Sequence, residues 1–122
     1  MMQVAATPGS AHLSRRWSVR LTRAYGAPER ATRVVELLTS EVVTNAIKYG
    51  QVTGSIELSM HYSGNVVEVS VTDENPAPPV ILAPHKLQVG GRGMQLVQRL
   101  AHRWGSEPTD RGKRVWFQVA LA

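Results

Sequence analysis

The sequence predicts an α+β fold, a two-layer α/β sandwich with helices packed on one face of a mixed, mostly antiparallel sheet. Three observations predict it. Apolar residues recur every three or four positions in the first 50 residues, they alternate strictly in the middle and at the end of the chain, and only one further helical segment falls between the alternating runs. At 122 residues, 43% hydrophobic and 19% charged, the chain suits one compact domain, which at this size buries roughly two-thirds of its unfolded surface without staples. It has 0 Cys, which removes thiolate zinc sites, thiol catalysis and a secreted disulfide framework, and suits a cytoplasmic location. No apolar stretch reaches the length of a membrane span, and residues 1–9 lack a signal-peptide core.

Residues 1–9 are small and polar, with Pro8 and Gly9, and read as a flexible N-terminus before a single domain at 10–122. From Ser10, Leu13, Trp17, Leu21 and Tyr25 place an apolar stripe on a helix whose other faces carry arginines. Gly26 ends it. Pro28 and Glu29 suit the first turn of a second helix, which runs to about Tyr49 and stops at Gly50. Ile56, Leu58, Met60 and Tyr62 then alternate with polar residues, Ser63-Gly64-Asn65 turns the chain, and Val67, Val69 and Val71 alternate again, which predicts a hairpin. Asn75 to Pro79 is too proline-rich for a helix interior or central strand, and residues 80–89 read as a short loop. Gly90 to Gly93 open a helix over Met94 to His102, with Met94, Val97, Leu100 and Ala101 inward. A strand near Trp104 and a turn at Asp110-Arg111-Gly112 lead to a last strand with Val115, Phe117, Val119 and Leu121 alternating.

Polar residues at apolar positions carry the functional signal. On the second helix Val34, Leu37, Leu38, Glu41, Asn45 and Lys48 fall within about 60° of one line, and the rest of its circumference is apolar enough to predict near-complete burial. An acid, an amide and an ammonium on such a stripe need partners. They can satisfy one another, Glu41 with Lys48 or with Asn45, or they can line a site. Asp73 continues the Val67, Val69, Val71 face to the strand's end. It can begin the following turn, or accept a hydrogen bond from an exocyclic amine such as that of adenine. Gly90-Gly91-Arg92-Gly93 precedes a helix, where free backbone N–H groups and the dipole favour an anion; the run is neither a Walker A loop nor a dinucleotide fingerprint, and can equally be a flexible turn.

Together these segments resemble the GHKL ATP-binding superfamily, whose domain is the Bergerat fold. Glu41-Val-Val-Thr44-Asn45-Ala-Ile-Lys48-Tyr49 is similar to its N box, Val69-Ser-Val-Thr-Asp73-Glu-Asn75-Pro76 to its first glycine box, and Gly91-Arg92-Gly93-Met94 to its second. The resemblance covers roughly residues 30–120. Gly112-Lys113-Arg114-Val115-Trp116-Phe117 and Pro76-Ala-Pro78-Pro79 look most like the small stand-alone actinobacterial proteins related to anti-sigma-factor serine kinases (RsbW-like). The resemblance implies ATP and Mg²⁺ as cofactors. It implies Glu41 as the catalytic acid that orients or deprotonates the attacking hydroxyl, Asn45 as the Mg²⁺ ligand, Lys48 as a phosphate contact, Asp73 as the reader of the adenine amine, and Gly91 and Gly93 as phosphate-hugging glycines. Three departures stand out: both first-box glycines are missing after Asp73, Arg114 stands where a threonine commonly helps hold the nucleotide acid, and only ten residues between Pro79 and Gly90 are left for the family's ATP lid.

The resemblance further implies a serine/threonine kinase that phosphorylates an anti-anti-sigma (STAS-like) protein, sequesters a sigma factor and regulates transcription by partner switching; a homodimer is compatible with it. The alternative is a nucleotide-binding adaptor that regulates a protein partner without phosphotransfer. A sensor histidine kinase with its own phospho-acceptor helix pair is not expected at this length. The net charge of +5 raises nucleic-acid binding, but no recognition motif accompanies Arg15, Arg16, Arg20, Arg23, Arg30 and Arg33, so this cluster reads as a solvated face or a dock for an acidic protein.

Overall fold

The computed structural model describes residues 1–49, 54–75 and 93–122. Its elements run β1 (Met2–Ala5), α1 (Gly9–Ala24), α2 (Glu29–Tyr49), β2 (Ser55–Ser63), β3 (Val66–Asp73), α3 (Gly93–Leu100), β4 (Arg103–Pro108) and β5 (Lys113–Ala120). The strands form one sheet in the order β1-β2-β3-β5-β4, and every described pairing is antiparallel. The helices cover one face of it, as the alternation requires. The core joins Val35, Leu38, Val42 and Val43 of α2 to Ile56, Leu58, Val67, Val69, Val71, Val115, Phe117 and Val119 of the sheet. α2 is the central helix, packed against α1, α3, β3 and β5.

The β2–β3 hairpin closes through Gly64-Asn65 with Ser63 opposite Val66. Gly64 alone takes a positive φ there, 62°, which is the two-residue turn whose twist matches the flanking strands and whose first position demands glycine.

Three expectations need correction. Residues 1–9 are not simply a loose terminus, since β1 pairs with β2 and buries Val4 to 9% exposure. A four-residue strand has too few alternations to announce itself; its identity comes from the partner edge. On α1, Trp17 is buried but Leu13 and Tyr25 are 52% and 65% exposed. On a 3.6-residue helix the buried arc runs from Trp17 through Ser10, Ser14 and Ser18 to Thr22; Leu13 falls just outside it, and Tyr25 lies at the C-cap, beyond the end of the helix. The face that meets the core instead carries Ser10, Ser14, Ser18 and Thr22. The Ser10 hydroxyl donates to the Ala5 carbonyl of β1 at 2.5 Å, and the other three are satisfied within the helix, Ser14 donating to the Ser10 carbonyl at 2.7 Å and Ser18 to that of Arg15 at 2.8 Å, while Thr22 donates to that of Ser18. On α3, Met94 and Val97 are buried as expected, but Leu100 is 46% exposed because it lies in the last turn.

Tyr25 stacks on Tyr62 of β2, ring centroids 3.4 Å apart. The Tyr62 hydroxyl is buried without a hydrogen-bond partner, and burial, with a smaller contribution from Tyr25, pushes its pKa up to about 12.

Candidate functional site

α2 presents Glu41 and Asn45 half-buried and Lys48 exposed. The expectation of a helix buried nearly all round is therefore corrected: Arg30, Arg33, Leu37 and Lys48 face solvent, and the polar stripe follows the border between core and surface. Placed there, an acid and an amide lose far less hydration than full burial would take from them. None of the three lacks a partner. Glu41 also borders a groove of about 470 Å³ between α1 and α2, lined by His12, Arg15, Arg16, Glu36, Leu37 and Ser40.

Asp73 lies where the alternation predicts, at the end of β3 on the helix-facing side, and is 4% exposed. Its Oδ1 accepts the Asn75 backbone N–H at 2.8 Å, so it does begin a turn. It also meets a cation to which the sequence pattern assigned no role. Lys113, 4% exposed, donates from Nζ to Asp73 Oδ1 at 3.2 Å and to the Asn75 carbonyl at 3.2 Å, and lies 2.9 Å from Oδ2. Asp73 Oδ2 itself accepts no hydrogen bond. A buried carboxylate is thus balanced in charge while one of its oxygens keeps open acceptor capacity.

The turn before β5 is laid directly on this segment. A Cβ on Gly112 would sit 2.1 Å from the Asp73 carbonyl oxygen and 2.7 Å from Asn75 N, so only glycine lets the two backbones meet and brings Lys113 under Asp73.

The register corrects the assignment of Arg114. Asp73 pairs with Lys113 and Thr72 with Arg114, so Lys113 is the β5 residue beside the acid. Arg114 points to the open face of the sheet, bonding Glu68 at 2.8 Å and Glu107 at 2.9 Å. The signal was present in the sequence: if Val115, Phe117 and Val119 face inward, period two puts residue 113 inward and 114 outward.

Gly93 opens α3. Gly91 and the segment 76–92, which carry the rest of the second glycine motif and the proline-rich run, lie outside the described residues. The structure therefore holds Glu41, Asn45 and Lys48 on one helix and Asp73 on the strand layer that this helix covers. Asp73 takes its polar partners from Asn75 and Lys113, not from α2. Among the described residues no cluster of His, Asp and Glu could hold a metal by itself, and no helix is long and apolar enough to cross a membrane.

A search of curated protein sequences found no match. Among solved structures, the RsbU and RsbW domains of Rv1364c from Mycobacterium tuberculosis superpose with a TM-score of 0.70 at 17% identity, over 98% of this chain and 32% of that one. The histidine kinase domain of the Erythrobacter litoralis EL346 blue-light activated histidine kinase gives 0.56 at 26% identity, over 77% of this chain and 46% of that one. The longer EL346 structure gives 0.59 at 26% identity, over 78% and 32%. This chain thus spans from just under a third to just under a half of the length of these three structures. A protein-family model described as the histidine kinase-like ATPase domain matches residues 4–119, nearly the whole fold and all three motif segments, and the chain belongs to that family.

Proposed function

We propose that this chain is an ATP-binding regulator of the anti-sigma type that transfers the γ-phosphoryl group of ATP to a serine or threonine of an anti-anti-sigma (STAS-like) protein and, when not so engaged, holds a sigma factor. The observation that carries the nucleotide part is Asp73 Oδ2, a buried carboxylate oxygen with open acceptor capacity, in a chain of the histidine kinase-like ATPase family. An amine of a base would satisfy it.

The α2 stripe fits the phosphate end. The oxygen-donor chemistry of Asn45 suits Mg²⁺, which keeps few protein ligands and takes the rest from phosphates and water; when bound, Mg²⁺ supplies charge neutralisation at the phosphates. Glu41, one turn before Asn45, would accept the proton of the acceptor hydroxyl. Lys48 would offset phosphate charge, and the backbone at Gly91 and Gly93 would donate to phosphate oxygens. The partner reading draws on the RsbW-containing neighbour and on the basic α1 surface.

The test has two stages. Calorimetry with ATP, with and without Mg²⁺, should give binding that Mg²⁺ strengthens; absence of any binding rejects the nucleotide site. Incubation with γ-labelled ATP and a purified STAS-type protein should label the acceptor and not the Glu41→Ala reaction. ATP binding with no transfer, or equal transfer by Glu41→Ala, selects the adaptor reading instead.

A further inference from the structure

Arg23, at the end of α1, bonds Glu29, at the start of α2, at 2.9 Å. His12, near the start of α1, shares a groove with Glu41, in the second half of α2, so the two helices run antiparallel. At 1.5 Å per residue, His12 and Glu41 lie about 17 Å and 18 Å from the Arg23–Glu29 bond, and are level with each other across the groove. A second hollow of about 510 Å³ continues the groove toward that bond, sharing Arg16 and Glu36 with the first and adding Val19, Arg20 and Arg23. Four guanidinium groups along it meet two carboxylates, those of Glu36 and Glu41. Among the described residues, Arg23 pairs with Glu29 while Arg15, Arg16 and Arg20 make no ion pair. The groove therefore carries uncommitted positive charge.

His12, Arg16 and Arg20 follow one another every four residues, about 6 Å apart along the axis and within about 80° of one line. In an extended chain the side chains on one side recur every second residue, about 6.6 Å apart. The two spacings match. We propose that this groove holds the acceptor's phosphorylatable segment in extended form, and that Arg16 and Arg20 select acidic residues two and four positions from the serine or threonine. The inference rests on the transfer reading above and names its acceptor sequence. With the hydroxyl level with His12 and Glu41, the second neighbour lies beside Arg16 and the fourth beside Arg20, while the third faces away from both. Asn45 and Lys48 lie farther along α2, beyond the groove, so phosphate and hydroxyl approach Glu41 from opposite sides. Glu36 lines both hollows and repels an incoming carboxylate, which sets the arginines' task. The groove fixes the spacing and leaves the chain direction free.

The probes are fluorescently labelled peptides with one serine and two glutamates in a glycine and alanine background. The glutamates stand two and four positions from the serine or, in the controls, three and four, with each spacing made in both directions. Anisotropy on the full chain at low ionic strength needs no nucleotide, so it tests the groove apart from transfer. In at least one direction the alternating peptide should bind about fivefold tighter than its control, with Arg16→Glu and Arg20→Glu each weakening it about tenfold and Glu36→Gln tightening it about threefold. Arg16 and Arg20 are exposed, so their replacement leaves the core intact. Equal binding of alternating and control peptides overturns the inference, as does absence of binding or indifference to both charge reversals. With a purified STAS-type acceptor and labelled ATP, Arg16→Glu should raise KM for the acceptor about tenfold more than it lowers kcat. A fall in kcat alone overturns the docking role. If the wild-type chain labels no acceptor while the peptide preference holds, the transfer reading falls and the acid-selecting groove stands.

Discussion

Lys113 Nζ stands 2.9 Å from Asp73 Oδ2, with only 5% and 4% of the two side chains exposed, so each charge depends on the other for its place in the core. Removing one partner strands the second without water, which costs about 3–5 kcal/mol, whereas removing both charges together can be close to neutral. Asp73→Asn is therefore expected to lower stability in urea by about that amount. Lys113→Met should do the same, and the double variant should recover most of the loss. A coupling energy under about 1 kcal/mol in this cycle would mean that the two side chains act independently.

This alters how a loss of nucleotide affinity in Asp73→Asn is read. From sequence, the change deletes only a charged acceptor. In the structure it also leaves a buried ammonium unpaired, so binding is interpretable only at temperatures where the variant is folded.

Gly112 and Gly105 offer a contrast between backbone and side-chain crowding. A Cβ at Gly112 meets the Asp73 carbonyl oxygen at 2.1 Å, while one at Gly105 meets the Trp116 indole at 2.7 Å. The carbonyl belongs to paired backbone and cannot move alone; the half-buried indole can tilt away. Gly112→Ala is expected to cost about 3 kcal/mol, and Gly105→Ala about 1 kcal/mol. Paired thermal melts check the ordering, which equal losses would contradict.

Arg114 tests the β3–β5 register. It bridges Glu68 and Glu107 on the open sheet face, with 29% of its side chain exposed. Arg114→Thr should cost about 1 kcal/mol, the scale of a partly screened ion-pair network, and leave nucleotide affinity unchanged. A large change in affinity would return Arg114 to the site.

What was legible in the sequence was whatever repeats. α2 and the β2–β3 hairpin follow their periods, and the inward row of β5 runs as read from Val115 to Val119. The alternation carried Asp73 onto the core face. β1 has too few residues to show a period and exists through its partner. Apart from Trp17 the buried face of α1 is serine and threonine, whose hydroxyls donate to backbone carbonyls, and hydrophobicity cannot flag such a face. Lys113 is legible only through the period of two, which puts it on the core face beside Asp73 and puts Arg114, the residue just before Val115, on the other.

Tyr62 predicts an alkaline limit. Its phenol is buried, unbonded and raised to about 12, so the folded state favours the neutral form. The stability this provides is fully present below the unfolded value near 10, and is lost as pH rises from there through about 12. Tyr62→Phe should keep the Tyr25 stacking, be neutral or stabilising by up to about 1 kcal/mol at pH 7, and flatten the decline in melting temperature above pH 10. An unchanged alkaline decline would assign it to other groups.

Glu41 and Asn45 lie one turn apart on the half-buried border of α2, and their proposed roles separate in kinetics. A base acting on the acceptor hydroxyl matters in the transition state, so Glu41→Ala should slow phosphoryl transfer by about 10²- to 10⁴-fold with ATP affinity nearly unchanged. A metal ligand matters in the bound ground state, so Asn45→Ala should abolish the strengthening of ATP binding by Mg²⁺. Single-turnover transfer to a purified STAS-type acceptor, with calorimetry on the same preparations, distinguishes the two. If Glu41→Ala loses ATP binding as severely as transfer, Glu41 is holding the helix border or the metal rather than a proton. If Asn45→Ala keeps the full Mg²⁺ response, the metal is held by other oxygens.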